Sequence, residues 1–95
     1  MTKFFVDPRA KQDIFDAASW YAKQSESTDE AFAEAIDDAF AEIAVAPTRW
    51  PILEVDFRYR LVNRFPYLVV YRIRGDSIVV VAVAHTSRAV YWTDR

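Results

Sequence analysis

Tyr67-Leu68-Val69-Val70-Tyr71-Arg72-Ile73-Arg74-Gly75-Asp76-Ser77-Ile78-Val79-Val80-Val81-Ala82-Val83-Ala84 is the stretch that decides the architecture. Tyr67–Arg74 is rich in β-branched and aromatic residues, Gly75-Asp76 is a two-residue turn signal, and Ser77–Ala84 is almost wholly aliphatic. The two runs therefore predict an antiparallel hairpin. A strand without polar alternation is one covered on both faces, which places Ser77–Ala84 at the centre of a sheet. Just upstream, Phe57, Tyr59 and Leu61 alternate with Arg58 and Arg60, the period of two expected of a further strand with one face covered. Together these runs predict a three-strand meander.

Working back from the meander, Pro47 to Pro51 reads as a loop that carries Arg49 and Trp50. Before it, Phe32, Ala35, Ile36, Ala39, Phe40 and Ile43 fall on one helical stripe, opened by Ser27 and Glu30 at capping-box spacing and closed before Pro47. The opposite face holds Glu34, Asp37, Asp38 and Glu42, with no lysine or arginine between Gln24 and Thr48, and reads as a solvated acidic face. An earlier helix over Pro8–Gln24 buries Ile14, Ala17, Ala18 and Tyr21, with Asp7 as its cap and Pro8 in its first turn. Lys3–Val6 is a short strand in front of it. The expected fold is α+β: an N-terminal strand, a two-helix hairpin and an antiparallel three-strand meander forming one sheet, with the helices on one face and a single domain over residues 1–95. Ser87–Arg95 runs past the last strand, and Tyr91 and Trp92 are expected to stand exposed there.

Composition removes whole classes of function. The chain has no cysteine and one histidine, so thiolate sites and thiol nucleophiles are out and no structural metal or cofactor is expected. One glycine cannot build a phosphate-cradling loop. No apolar run approaches the ~18 residues of a membrane span or resembles a signal peptide, so a cytoplasmic protein without membrane contact is expected. Net charge is −2, but residues 1–48 carry four basic and ten acidic groups while residues 49–95 carry eight basic and four acidic ones, all eight of them arginine. Arginine suits bidentate contact with carboxylate or phosphate, so Arg58, Arg60, Arg72 and Arg74 are candidates for docking an acidic partner segment. Ordinary solubilising arginines on exposed strand faces are the alternative.

One cluster has chemical potential. His85, Arg88 and Tyr91 lie within seven residues where the last strand leaves the sheet. A proton-transferring histidine, an arginine for developing negative charge and a tyrosine for stacking or acid work would suit RNA cleavage through the 2′-hydroxyl. The alternative is that His85 merely anchors the C-terminal segment through hydrogen bonds.

The order strand, helix, helix, meander, together with Asp7-Pro8, Trp20-Tyr21, the run Arg64-Phe65-Pro66-Tyr67-Leu68-Val69-Val70-Tyr71-Arg72 and the run Ala82-Val83-Ala84-His85-Thr86-Ser87-Arg88, resembles the RelE/ParE toxin family over essentially the whole chain. The resemblance implies a plasmid-stabilisation type of toxin that arrests growth and is neutralised by a cognate antitoxin lying across its sheet and helices. Its RelE-like branch implies a ribosome-dependent messenger-RNA endonuclease, with Arg88 and Tyr91 in C-terminal roles, yet the central-strand arginine of that branch is Leu68 here. Its ParE-like branch implies an inhibitor of DNA gyrase that needs only a binding surface. The closing His85, Arg88, Tyr91 and Trp92 match that branch and would make Tyr91, Trp92 and the neighbouring arginines interface hot spots. A degenerate member that binds an antitoxin and nothing else is the third reading.

Overall fold

The computed structural model describes residues 3–88, Trp92 and Arg95. The chain runs β1 (Lys3–Val6), α1 (Pro8–Ala22), α2 (Glu26–Val45), β2 (Ile52–Glu54), β3 (Phe57–Leu61), β4 (Tyr67–Arg74), β5 (Ser77–His85) and a 3₁₀ turn at Thr86–Arg88. One five-stranded sheet has the order β1-β5-β4-β3-β2, with β1 parallel to β5 and every other pair antiparallel. The α+β class, the helical hairpin and the hairpin turning at Gly75 are as the sequence predicts. Gly75 takes φ +60, which a two-residue turn asks of it. The meander has four strands, not three, because Ile52–Glu54 adds an edge strand that three residues are too short to announce by periodicity.

Asp7 caps α1 by accepting from the Arg9 amide at 2.8 Å, and the Arg9 side chain bonds the same carboxylate. Those bonds from Arg9 hold the Asp7 carboxyl below its ordinary range. The cap of α2 is Ser25, two residues before the predicted Ser27. Its hydroxyl accepts from the Thr28 amide at 3.0 Å, and a second hydroxyl at Thr28 closes the turn at 2.6 Å. A serine and a threonine three residues apart do the work that spacing alone assigned to Ser27 and Glu30.

Phe32, Ile36, Ala39 and Ile43 of α2 and Ala10 and Ala17 of α1 pack with Val69, Tyr71, Ile78, Val80 and Val83 into the main core. Burial pushes the Tyr71 phenol up, and its hydroxyl donates to the Pro47 carbonyl. A bulge between Val70 and Tyr71 of β4 skips Val81 on β5, so the alternation of β5 changes phase. Ile78, Val80 and Val83 face the helices, while Val81, Ala82 and Ala84 face the other way.

That other face is not bare. Phe57, Leu68, Val70, Val81, Ala82 and Ala84 form a second buried cluster, and Trp92 closes it from above, 1% exposed with its ring 4.9 Å from Phe57. The expectation of an exposed Trp92 is therefore wrong. A small sheet with aliphatic residues on both faces must cover both, and the helices can reach only one.

Between β2 and β3, Val55 sits at φ +54 with its side chain 83% exposed. A β-branched residue in the left-handed region is strained, and here no packing compensates. Val55→Gly is expected to raise stability by about 1 kcal/mol in chemical denaturation. An unchanged or lowered midpoint would refute the strain.

Candidate functional site

Strand register decides which predicted residues can act together. Arg58 pairs across with Tyr71 and Arg60 with Val69, so both lie on the helix side of the sheet. Arg72 lies opposite Phe57, on the outer side with Arg74 two residues on. The four arginines thus do not form one docking strip; successive β residues alternate faces, and β3 and β4 contribute opposite phases.

Three of the four are also engaged. Arg58 donates to the Trp50 carbonyl at 2.7 Å and to the Thr48 carbonyl at 3.2 Å, tying the α2–β2 loop to the sheet. Arg60 pairs with Glu42 at 2.7 Å and lies 4.4 Å over the Trp50 ring. The acidic face of α2 therefore finds a cation through tertiary structure where the local sequence has none. Arg72 makes two bonds to Asp56, at 3.0 and 3.1 Å, and stacks 4.5 Å over Phe57. Arg72 holds the Asp56 carboxyl below its ordinary range. Arg74 is exposed.

The other predicted cluster holds together better. His85 ends β5, opposite Tyr67 in the register, and their rings meet edge to face at 5.2 Å. The 3₁₀ turn that follows brings Ser87 back, so its amide donates to His85 Nδ1 at 3.1 Å and its hydroxyl sits 2.8 Å from the same nitrogen. Accepting that amide proton leaves the neutral ring protonated at Nε2. The anchoring reading of His85 is thus part of the fold. Arg88, at the end of the turn, is exposed, and its charge acts on the Tyr67 phenol. Tyr91 lies outside the described residues, and Trp92 is core rather than contact surface.

His85 and Arg88 line one cleft of about 610 Å³ whose other walls come from Asp13, Asp16, Ala17 and Trp20 of α1, from Tyr67 and from Val83. Trp20 is 60% exposed. Burial first, then the nearby Tyr21, pushes the Tyr67 phenol up, so it stays protonated near neutral pH. The reading of the sequence missed Trp20 and Tyr67 as site residues. The available signal was a tryptophan lying off the apolar stripe of its helix, since Ile14, Ala17, Ala18 and Tyr21 already fill the buried side.

The back wall of the cleft is held by a clamp that has no local sequence signature. β1 ends at Val6, with the Asp7 amide bonding the Val80 carbonyl, and leaves the edge of β5 open beyond that point. Asp13 accepts from the Val83 amide at 3.0 Å and from Arg95 Nη1 at 2.8 Å, while Arg95 also donates to the Val81 carbonyl at 3.0 Å. Side chains from α1 and from residue 95 thus satisfy the backbone groups that β1 does not reach.

Among the described residues there is no His, Asp or Glu group arranged to hold a metal ion, and no helix is long and apolar enough to cross a membrane. A family model described as the ParE toxin of the type II toxin–antitoxin system parDE matches residues 4–90. Among solved structures, the chromosomal ParDE toxin–antitoxin system from P. aeruginosa is similar in fold, with a TM-score of 0.68 at 19% identity over 90% of this chain and 96% of that one. No curated protein sequence matches the chain.

Proposed function

We propose, from the premise that the chain belongs to the ParE toxin family of type II toxin–antitoxin systems, that it arrests growth by binding DNA gyrase and is held inactive by a cognate antitoxin. One observation carries the choice of a binding mechanism over RNA cleavage. Leu68, at the position where the nuclease branch of the wider family places a strand arginine, is 7% exposed and belongs to the apolar cluster under Trp92. A cationic side chain there would have to be buried among Phe57, Val70 and Trp92, which speaks against a phosphate-binding wall at this position of the chain. Contact surface remains: an exposed indole, an exposed arginine and a fixed histidine around one cleft.

The test is to compare gyrase supercoiling and ribosome-bound transcript integrity with the purified chain. Inhibited supercoiling with intact transcripts is expected, and addition of the antitoxin encoded beside it should restore supercoiling. Within that assay His85→Ala should weaken inhibition by no more than about threefold, since a contact residue and not a proton shuttle is lost. A loss of about a hundredfold or more with cleaved transcripts in the wild type is the signature of general acid–base catalysis and would move the chain to the nuclease reading.

A further inference from the structure

We infer that the cleft between α1 and the end of β5 is the surface that meets gyrase, and that it takes a polypeptide segment in which a bulky apolar side chain stands beside a carboxylate. The inference rests on the gyrase-binding reading and specifies its contact. The cleft has two chemically distinct parts. Trp20, Ala17, Tyr67 and Val83 offer an aromatic and aliphatic surface, and Trp20 is 60% exposed although the buried stripe of α1 is complete without it. An indole in that position gains most from being covered by a partner's apolar side chain.

The lip at His85 and Arg88 presents donors. Nδ1 of His85 is occupied by the Ser87 amide, which leaves a protonated Nε2, and Arg88 is an exposed cationic donor. The complement of such a lip is an anion. The opposite wall decides which kind. Asp13 is paired with Arg95, whereas among the described residues Asp16 accepts a bond from the neutral Gln12 amide, at 2.8 Å, and from no cation. A strand of successive phosphates crossing the cleft would meet that carboxylate, whereas a single carboxylate directed at the Arg88 lip need not approach it. The charge layout therefore favours a polypeptide over RNA.

The full chain, its Trp20→Ala and Arg88→Gln variants and the purified gyrase subunits supply the test. Both substituted side chains are exposed, so the variants should melt as the wild type does. Each is expected to weaken gyrase binding on the order of tenfold, without DNA present. A capped Leu-Phe-Glu tripeptide should compete with gyrase on the order of tenfold better than its Leu-Phe-Gln analogue, and the two should become equal on Arg88→Gln. Wild-type inhibition of supercoiling combined with full gyrase affinity in both variants would overturn the inference and leave the gyrase reading standing. So would equal competition by the two tripeptides, stronger competition by pentauridylate, which would give the cleft to RNA, or variants that lose only antitoxin binding. A wild-type chain that leaves supercoiling untouched would overturn the gyrase reading itself and the inference with it.

Discussion

Trp92→Ala should cost about 3–5 kcal/mol and lower the melting point by at least ~15 °C. Trp92 is the largest side chain in the outer cluster, 1% exposed, and its ring sits edge-on to Phe57 at 4.9 Å. Truncation removes the lid from Val70, Val81, Ala82 and Ala84 and opens that apolar face to water. In a chain of this size that is a large share of the total, which for small domains is about 5–15 kcal/mol. Trp92→Phe separates packing from fold loss. The indole Nε1 is buried with no hydrogen-bond partner among the described residues, so phenylalanine keeps an aromatic contact and discards an unpaired donor. A cost of about 1–2 kcal/mol is expected for it. If Trp92→Ala melted with the wild type, the outer cluster would not need its lid. This result also changes the reading of C-terminal truncations: any deletion that includes Trp92 removes core, so a loss of toxicity on such a deletion does not identify an interface.

Asp13→Ala should destabilise the chain by about 3 kcal/mol, because it removes bonds to two part-buried groups at once. The Val83 amide loses its acceptor, and the Arg95 guanidinium, with its side chain 13% exposed, loses its counterion. Removing one partner of a partly buried ion pair costs more than the pair itself contributes. Asp13→Asn keeps a carbonyl for the Val83 amide and should cost clearly less. Hydrogen exchange locates the effect: the Val83 amide should lose protection in Asp13→Ala well beyond the global destabilisation, since it lies where β1 no longer covers β5. A double-mutant cycle with Arg95→Ala should return a coupling above about 1 kcal/mol. Additive single effects would show that the two side chains do not act as a unit.

Much of this fold is legible along the chain because its signals are local. The helical stripes through Ile14, Ala17, Ala18 and Tyr21 and through Phe32, Ile36, Ala39 and Ile43 name their buried faces directly, and each of these residues packs on the main core. Tyr67–Arg74, Gly75 and Ser77–Ala84 specify the central hairpin, and the unbroken aliphatic run correctly marks a strand covered twice. Part of the site is legible too: His85 and Arg88 are close in sequence and line the same cleft.

What the sequence determined by itself is whatever depends on neighbours within a few residues: element type, the buried side of each helix, the caps to within two residues and the class of fold. Tertiary structure alone decided which side of the sheet each arginine occupies, since that depends on the register between β3 and β4, and which side each β5 residue occupies, since a bulge at Val81 shifts its phase. It alone decided that Trp92 is buried in the outer cluster and not exposed, because nothing around residue 92 says that a second sheet face is waiting to be covered. The Asp13–Arg95 clamp, 82 residues apart, and the meeting of Trp20 with Arg88 across the cleft follow from the same cause. Pairings between distant residues are set by how the chain folds back on itself, and no periodicity along it encodes them.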